Sequence, residues 1–316
     1  IYRGRGINID PRRITWKRVL DMNDRALRNI IIGLGGVLQG VPRESGFDIT
    51  AASEIMAILC LAEDYEDLQA RLDRILVAFT HDGEPVTAKI LNATGALTAL
   101  LKEAMQPNLV QTLEGTPAFV HGGPFANIAH GCNSVVATKM ALGLADWVVT
   151  EAGFGFDLGA EKFFDIKCKS AGLDTAAVIL VATCRALKTH GGVKRSDLAT
   201  PNLEGLQSGL GNLDKHVENI MQFGEKPIVC LNRFAGDHNE EIDLVRKHCT
   251  SKLQVPFALS NVFEEGGAGG IELARTLIQH AEKVSSPYKS LYNWNEDVES
   301  KIWKVANGMY GAQKIH

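Results

Sequence analysis

After residue 108 the apolar positions fall into short runs separated by longer amphipathic stretches. The runs lie at residues 117–121, 146–155, 176–183, 226–232 and 255–261. The stretches between them have helical spacing, and they lie at residues 128–145, 205–224 and 237–249. Apolar runs that alternate with helices predict an α/β fold, with parallel sheets flanked by helices and joined by right-handed crossovers. Because ligands of such sheets bind beyond the carboxyl ends of the strands, the loops after the runs are the candidate functional positions.

The first hundred residues have a different pattern, in which helical spacing dominates. It predicts a helix over residues 13–30, and the glycines and proline of residues 33–46 predict a long loop. Residues 48–79 have the pattern of two helices, the first capped by Thr50 or Ser53. We therefore expect the first 107 residues to form a mainly helical segment.

The length of 316 residues exceeds the size at which one hydrophobic core usually stops growing, so we expect more than one domain. After the helical segment 1–107, the pattern predicts part of a sheet domain over 108–195 and a second, smaller α/β domain over 196–285. Residues 286–316 are predicted to form a linker and a short helix. The sequence begins with Ile1 and not with Met, which we interpret as a fragment or a processed piece.

The composition excludes several functional classes. Hydrophobic residues make up 45% and charged residues 22%, which is typical of globular proteins, and the net charge of -4 argues against a basic nucleic-acid-binding face. The apolar runs are all shorter than the roughly 18 residues of a membrane span. Six scattered cysteines without a C-x-x-C pair fit a reducing, cytoplasmic compartment and supply no metal-ligand spacing. We therefore expect no nucleic acid, no membrane and no protein-bound metal site.

The loop at residues 116–134, TPAFVHGGPFANIAHGCNS, contains His121, Gly122, Gly123 and His130 between a predicted strand and a helix predicted to start near Asn127. Three interpretations remain open. Glycines and a helix N-terminus suit an anion, two histidines suggest a metal, and glycines are also common in ordinary chain reversals. The metal interpretation is the weakest, because the histidines are nine residues apart and no carboxylate stands at metal-ligand spacing.

Two further loops carry charge just after a predicted strand. In TEAGFGFDLGAEKFF, Glu151 occupies the position where nucleotide-binding sheets often hold a magnesium-associated acid, and Phe154 either faces a ligand or plugs the sheet end. In VATCRALKTHGG, Arg185 and Lys188 are candidates for steadying an anionic substrate, or they belong to a solvated helix start.

The last two loops each place an aromatic residue after a strand. Asn232 and Phe234 follow the run at 226–232, and Phe263 follows the run at 255–261. Two aromatic residues at the same point of adjacent strands form a slot for a flat ring, or they simply pack. Neither the phosphate-binding pattern G-x-x-x-x-G-K-[ST] nor a dinucleotide-binding G-x-G-x-x-G after the first strand occurs. The residues alone therefore lead to an α/β protein with a ligand cleft of undefined chemistry.

Taken together, these loops closely resemble the formate–tetrahydrofolate ligase family. VATCRALKTHGG is similar to the family signature VAT-[IV]-RALK-x-[HN]-GG, with Cys184 where Ile or Val is usual. The loop at 116–134 is equally family-like, and so are VTEAGFGFDLGAEKFFDIKC, DPRRITWKRVLDMNDRALRNI and GFDITAASEIMAILCLA. The resemblance extends over nearly all 316 residues.

The resemblance implies an ATP-dependent ligase with a P-loop-NTPase-like core. Formate attacks the γ-phosphate to give formyl phosphate and ADP, and the amine of tetrahydrofolate then takes the formyl group and releases phosphate. Magnesium and a monovalent cation (K⁺ or NH₄⁺) assist, and the family is often homo-oligomeric. Phosphorylation turns a poor leaving group into a good one, and the unstable mixed anhydride needs a closed, anion-friendly cleft.

The resemblance also implies roles for single residues. Phe234 and Phe263, the latter standing where Trp is usual, correspond to the two aromatic residues that enclose the folate ring. The nucleotide and formyl-phosphate cleft is implied to include His121, Gly122, Gly123, Glu151, Phe154, Gly155 and Asn232. Phe156 stands where Ala is usual, beside that cleft. No residue of this chain is assigned a catalytic role.

In the family, the phosphate-binding loop lies upstream of residues that resemble Ile1 onward, and a further segment follows those that resemble His316. The resemblance therefore implies that the isolated chain is an incomplete core and does not make formyl phosphate. Turnover of ATP, formate and tetrahydrofolate by the purified chain would contradict this expectation. The alternative is a catalytically inactive, truncated folate-binding or scaffold protein derived from the ligase.

Overall fold

A computed structural model of the chain describes residues 6–127, 129–282 and 287–316. The chain divides into two compact units, residues 1–153 and 154–316. Helices accompany β-sheets in both units, and parallel strand pairing occurs in each, which confirms the mixed α/β class. No helix of the described residues is long and apolar enough to cross a membrane.

The first unit is built from short strands and four α-helices among its described residues. In chain order these are β1 (Ile9–Ile14), β2 (Arg18–Val19), β3 (Ile30–Ile32), β4 (Arg43–Ser45), β5 (Phe47–Asp48), α1 (Glu54–Leu61), α2 (Tyr65–Asp73), β6 (Leu76–Thr80), β7 (Pro85–Thr87), α3 (Thr94–Leu100), β8 (Asn108–Gln111), β9 (Pro117–Val120) and α4 (Val135–Leu142). Strands β1, β6 and β7 form an antiparallel sheet, and the other strands form pairs. The core lies where this sheet meets α1, α2 and α3, around Leu68, Leu72 and Ile75.

The prediction of a mainly helical segment over residues 1–107 is wrong. Residues 13–30 contain the end of β1, β2 and a 3₁₀ turn at Arg25–Leu27 in place of the predicted helix. Asp24 caps that turn by accepting a hydrogen bond from the backbone N–H of Ala26. Asp and Asn side chains compete with helical hydrogen bonding in this way, and helical spacing of apolar residues does not reveal the competition.

Two other expectations for this unit have mixed outcomes. The predicted loop at 33–46 contains β4, which pairs with β3. The two helices predicted within 48–79 are confirmed as α1 and α2, and Ser53 caps α1 through its hydroxyl, which accepts a hydrogen bond from the Met56 N–H at 3.2 Å. The last residues of that stretch form β6.

The apolar runs at 117–121 and 146–155 do not enter the predicted parallel sheet. β9 pairs with β8 in an antiparallel hairpin, and residues 146–153 of the first unit contain no assigned strand. The hairpin closes through local hydrogen bonds, in which Thr112 N–H donates to Thr116 O and Gly115 N–H donates to Thr112 O, both at 2.9 Å. β9 therefore pairs with the strand just before it in the chain, whereas the hydrophobic pattern predicts pairing with strands that are distant in sequence.

The second unit has a central parallel sheet. Its elements are two π-helical segments (Phe156–Ala160 and Phe163–Cys168), α5 (Lys169–Ala171), β10 (Val178–Ala182), α6 (Cys184–His190), α7 (Leu203–Gln222), β11 (Pro227–Asn232), α8 (Asn239–Lys247), a π-helical turn (His248–Leu253), β12 (Phe257–Ser260), α9 (Val262–Glu265), α10 (Ile271–Ala281) and α11 (Val298–Tyr310). β11 pairs in parallel with β10 on one side and with β12 on the other. The three predicted strands and the crossover helices α7 and α8 are confirmed.

The sheet is held by buried apolar side chains from its strands and helices. Leu206, Leu210 and Leu213 of α7 share one cluster with Val229 and Leu231 of β11. The spacing of three and four residues along α7 places these leucines on one helix face. Asn202 starts the helix, because its side chain accepts a hydrogen bond from the Gly205 N–H at 2.8 Å.

The predicted linker and terminal helix also have a clear outcome. Ser285 and Ser286 lie outside the described residues, and residues 287–297 form no helix or strand. The predicted helix that follows is confirmed as α11, which Asp297 caps by accepting from the Ser300 N–H at 2.8 Å. The four predicted segment boundaries stay predictions.

Candidate functional site

The carboxyl edge of the sheet in the second unit collects several side chains singled out in the sequence. Parallel pairing puts the ends of β10, β11 and β12 at one edge, with β11 in the middle. Arg185 follows β10, Asn232 and Phe234 end and follow β11, and Phe263 follows β12. This edge is where parallel sheets bind ligands, because helix N-termini and strand ends open there.

Phe234 has a defined setting at this edge. Its backbone N–H donates to Asp237 Oδ2 at 2.9 Å, and the Asp237 N–H donates back to Phe234 O at 2.9 Å. This tight turn fixes the backbone that carries the ring, and Arg185 lies over the ring with its guanidinium carbon 4.7 Å from the ring centroid. Sequence reasoning missed Asp237 as a turn former; an Asp three residues after the aromatic, in a glycine-containing loop, was the available signal.

Phe263 is the most exposed aromatic side chain at this edge, with 88% of its surface accessible. It lies in the short helix α9, which is followed by a 3₁₀ segment formed by Gly266–Gly270. Among the described rings, Phe234 and Phe263 do not pack against each other. The alternative in which the two rings simply pack is therefore not the arrangement of this structure.

Lys188 is placed differently from Arg185, although both lie on α6. Its side chain is fully buried and its ammonium lies 3.0 Å from Glu241 Oε1, which is also fully buried. The ammonium also donates to Thr200 O at 3.2 Å, and Glu241 Oε1 accepts from the Asn202 N–H at 2.9 Å. Lys188 thus joins α6 to α8 and to the start of α7, and it does not reach the open edge of the sheet.

The loop around residue 155 has an unusual backbone. Phe154 has a φ of 51° and is 77% exposed, so a bulky side chain sits in the left-handed region and points to solvent. A non-glycine residue in this region costs on the order of 1–2 kcal/mol, and such positions concentrate at functional sites. A side chain at Gly155 would collide with the Asp157 carboxylate and come within 3.3 Å of the His216 ring.

In the first unit, Glu151 is exposed.

Phe156, which stands where the family usually has Ala, is buried. Its ring centroid lies 5.6 Å from that of Phe223 and 6.1 Å from that of Phe164. The ring belongs to an aromatic cluster inside the second unit.

The glycine-rich loop of the first unit is closed around His121. The imidazole is buried, with Nδ1 2.6 Å from the Ser134 hydroxyl and Nε2 2.6 Å from Ala104 O. Gly122 has a φ of 73°, and a side chain there would collide with the Cys60 sulfur. The predicted helix start near Asn127 is wrong, because α4 begins at Val135, where the Ser134 hydroxyl accepts the Ala137 N–H at 3.0 Å. Ile128 lies outside the described residues.

A buried pair of carboxyl groups in the second unit was not singled out in the sequence. Asp165 accepts a hydrogen bond from the Leu291 N–H at 2.9 Å, and its other carboxyl oxygen is buried. Burial, followed by the charge of Glu161, raises the pKa of Asp165 to about 7, and burial also raises the pKa of Glu161. The protonated form is therefore favoured at this pair, because two buried like charges are strongly unfavourable.

Metal ligands are not clustered in the part of the chain that the structure describes. No group of three or more His, Cys, Asp or Glu side chains there is arranged to hold an ion. The six cysteines are buried. No chemical step is therefore assigned to a metal held by these side chains.

The fold and the sheet edge define an α/β protein whose central sheet ends in aromatic and cationic side chains. All 316 residues match the family model described as formate–tetrahydrofolate ligase. The chain is 57% identical to the formate–tetrahydrofolate ligase of Parabacteroides distasonis and 54% identical to that of Bacteroides fragilis, in each case over its whole length. It spans 57% of the length of each of these relatives. The chain belongs to the formate–tetrahydrofolate ligase family.

Proposed function

We propose that this chain provides the tetrahydrofolate-binding part of a protein that joins formate to tetrahydrofolate at the expense of ATP. The observation that carries the proposal is the sheet edge of the second unit, where Phe234, Phe263 and Arg185 gather in a chain that matches the ligase family throughout. Exposed aromatic faces suit a flat pterin ring, and a cation suits the carboxylates of the substrate.

The proposed reaction has two steps. A formate oxygen attacks the γ-phosphorus of ATP, which forms formyl phosphate and releases ADP. The amine of tetrahydrofolate then attacks the formyl carbon, and the bond to the phosphate oxygen breaks. In this chain Phe234 and Phe263 hold the folate ring, while Phe154, Gly155 and Asn232 line the path of the acyl phosphate.

Fewer side chains of the first unit than of the second are proposed to contact a substrate. Both ring nitrogens of His121 are bonded inside the unit, so the proposed phosphate contact of this loop rests on the backbone of Gly122 and Gly123. Glu151 is exposed and is proposed as an acid near the nucleotide. Lys188 is paired with Glu241, so of these two candidates only Arg185 lies at the sheet edge.

The finer features of the family are also proposals for this protein. They are a P-loop-NTPase-like core, magnesium, a monovalent cation (K⁺ or NH₄⁺), a homo-oligomer and a cytoplasmic location. The apolar edge strand β10, which is only half-buried and pairs on one side with β11, supports a sheet that continues beyond three strands. Six buried cysteine thiols support a reducing compartment. The match to named ligases does not favour the alternative of an inactive, truncated scaffold.

The test is turnover by the full-length protein with formate, ATP, magnesium and tetrahydrofolate. We expect ADP, phosphate and 10-formyltetrahydrofolate in equal amounts, and a rise of about tenfold or more in KM for tetrahydrofolate in Phe234→Ala and Phe263→Ala. Val262→Ala, which shortens an exposed apolar neighbour of Phe263, is the matched control and should leave KM unchanged. Absence of formyl transfer in the wild type, or unchanged KM in both aromatic variants, would overturn the proposal.

A further inference from the structure

Arg185 is a cation without a carboxylate partner at the sheet edge of the second unit. None of the ion pairs among the described residues includes it. Its guanidinium instead lies over the face of Phe234, 4.7 Å from the ring centroid, and beside Gly236. A guanidinium over an aromatic face is attracted by the ring quadrupole, and it also limits rotation of the ring.

The backbone of α6 around Arg185 is held in place by hydrogen bonds. Thr183 caps α6 by accepting the Ala186 N–H at 3.0 Å, and the Thr189 hydroxyl donates to Arg185 O at 2.8 Å. One turn further, the buried Lys188–Glu241 pair ties α6 to α8. These contacts fix the helix backbone from which the Arg185 side chain extends over Phe234.

The order of the strands gives Phe234 two different neighbours. β11 is central, so Arg185 reaches Phe234 from the β10 side, and Phe263 follows the strand on the other side, β12. The Asp237 turn fixes the backbone of Phe234, but a turn does not fix the rotation of a half-buried ring. Contact with Arg185 restrains the ring on one face.

We propose that Arg185 is a positioning residue of the tetrahydrofolate site: it backs one face of Phe234 and thereby presents the other face to the pterin ring. This inference rests on the proposed function, and it gives Arg185 a different role from that of an anion contact. An anion contact would act on formate, ATP or the acyl phosphate directly. A backing residue acts on tetrahydrofolate alone, and only through Phe234.

Steady-state kinetics of the full-length protein test the inference. We expect Arg185→Ala to raise KM for tetrahydrofolate about three- to tenfold, with kcat and the KM values for formate and ATP close to wild type. Arg185→Lys retains a cation but not the planar stack, so it should recover only part of the change. Since Arg185 is exposed, these variants are expected to fold, which circular dichroism checks.

A double-mutant cycle separates action through Phe234 from direct contact with the substrate. We expect Arg185→Ala to change KM for tetrahydrofolate much less in a Phe234→Leu background than in the wild type. The matched control is Arg246→Ala, which removes a second arginine–aromatic contact, 4.6 Å above Phe257, and should leave KM unchanged.

Three outcomes would overturn the inference. Changes in kcat or in KM for formate or ATP would assign Arg185 to the anion. A lower KM for tetrahydrofolate in Arg185→Ala would mean that Arg185 blocks the ring-binding face. Additive effects in the cycle would mean direct contact. If the proposed function itself fails, the wild type shows no tetrahydrofolate turnover, so the two failures are distinguishable.

Discussion

The central strand of the second unit and the hairpin of the first unit show how differently two predicted strands can be used. β11 has partners on both sides and buries five of its six residues, whereas β8, which pairs with β9, exposes all four of its residues. β11 also contacts the helices α7 and α10. An apolar run in the sequence predicts a strand. Whether that strand is buried in the core depends on how many strands and helices pack against it.

Polar residues of the two units repeat the contrast. Lys188 of the second unit and His121 of the first were both expected to face a ligand, and both are buried with partners. Lys188 neutralises a buried carboxylate, while His121 makes two hydrogen bonds with uncharged groups. We therefore expect loss of the buried charge at Lys188 to cost more stability than loss of the imidazole at His121.

The largest effect is expected for Lys188→Met. It leaves Glu241 buried without a counter-charge, and breaking a buried pair costs about 3–5 kcal/mol in free energy of unfolding. Urea denaturation followed by circular dichroism measures the change. The control is Lys17→Met in the first unit, whose pair with Asp48 is about half exposed and 4.0 Å long, and which should change stability by less than about 0.5 kcal/mol.

A second variant, Lys188→Met/Glu241→Leu, removes both charges and should recover most of the loss. Equal losses for Lys188→Met and Lys17→Met would break the comparison between the two units.

The next effect comes from one substitution made in two strands. Val229→Ala removes two methyl groups from the fully buried centre of β11 and should cost about 2 kcal/mol. Val120→Ala makes the same change at an exposed position of β9 and should cost less than about 0.5 kcal/mol. Thermal or urea unfolding of both variants checks the difference. A similar cost at both sites would mean that the hairpin is as well covered as the sheet.

His121→Ala tests the buried imidazole of the first unit. It leaves the Ser134 hydroxyl and Ala104 O without their partner, so we expect a loss of about 2 kcal/mol. His238→Ala, at an exposed position, is the control and should be neutral. If His121→Ala unfolds like the wild type yet abolishes formyl phosphate formation in the full-length protein, the imidazole serves the phosphates and not the fold.

The smallest effect concerns pH and Asp165. Its pKa in the folded chain, about 7, lies above the ordinary value of 3.8, so the folded state binds the proton more tightly than the unfolded state. The contribution of this group to stability therefore falls as pH rises from about 4 to about 7, and then stays constant. Between pH 6 and pH 8 the loss is about 1.4 kcal/mol, because titration across a pKa of about 7 over two pH units amounts to about one pKa unit of free energy.

Asp165→Asn carries no ionisable group there and should lose this part of the pH dependence. The measurement is the difference in free energy of unfolding between wild type and variant at pH 6 and at pH 8, with Asp165→Asn relatively more stable at pH 8. The groups that interact with Asp165 are Glu161, Lys169, Tyr288 and Tyr292, all unchanged in the variant. A constant difference would contradict the raised pKa of Asp165.

Prediction from the sequence succeeded where the hydrophobic pattern was compatible with only one kind of secondary structure. The runs that became β10, β11 and β12 are apolar along their length, and such runs are characteristic of buried parallel strands. Their order along the chain also placed Phe234 and Phe263 at one sheet edge, because parallel strands end on the same side. The residues of this edge were therefore predictable before any coordinates.

Prediction failed where local hydrogen bonds outweighed periodicity. The helix expected over residues 13–30 gave way to an Asp24-capped turn, and the strand expected at 117–121 paired with its nearest neighbour. The expected helix start near Asn127 moved to Val135, where Ser134 supplies a cap. In each case the observed structure is stabilised by short-range hydrogen bonds, and the hydrophobic pattern of the sequence does not reveal these.

The sequence by itself determined the family, the parallel sheet and the residue types at its carboxyl edge, because these depend on periodicity and on motifs that are local in the chain. Only the tertiary structure decided which charged residues face solvent. Arg185 and Lys188 are three residues apart on one helix, yet one stacks on Phe234 and the other is buried against Glu241. The partners that make this difference, Phe234 and Glu241, lie about fifty residues away in sequence. A local sequence pattern does not predict contacts at that separation.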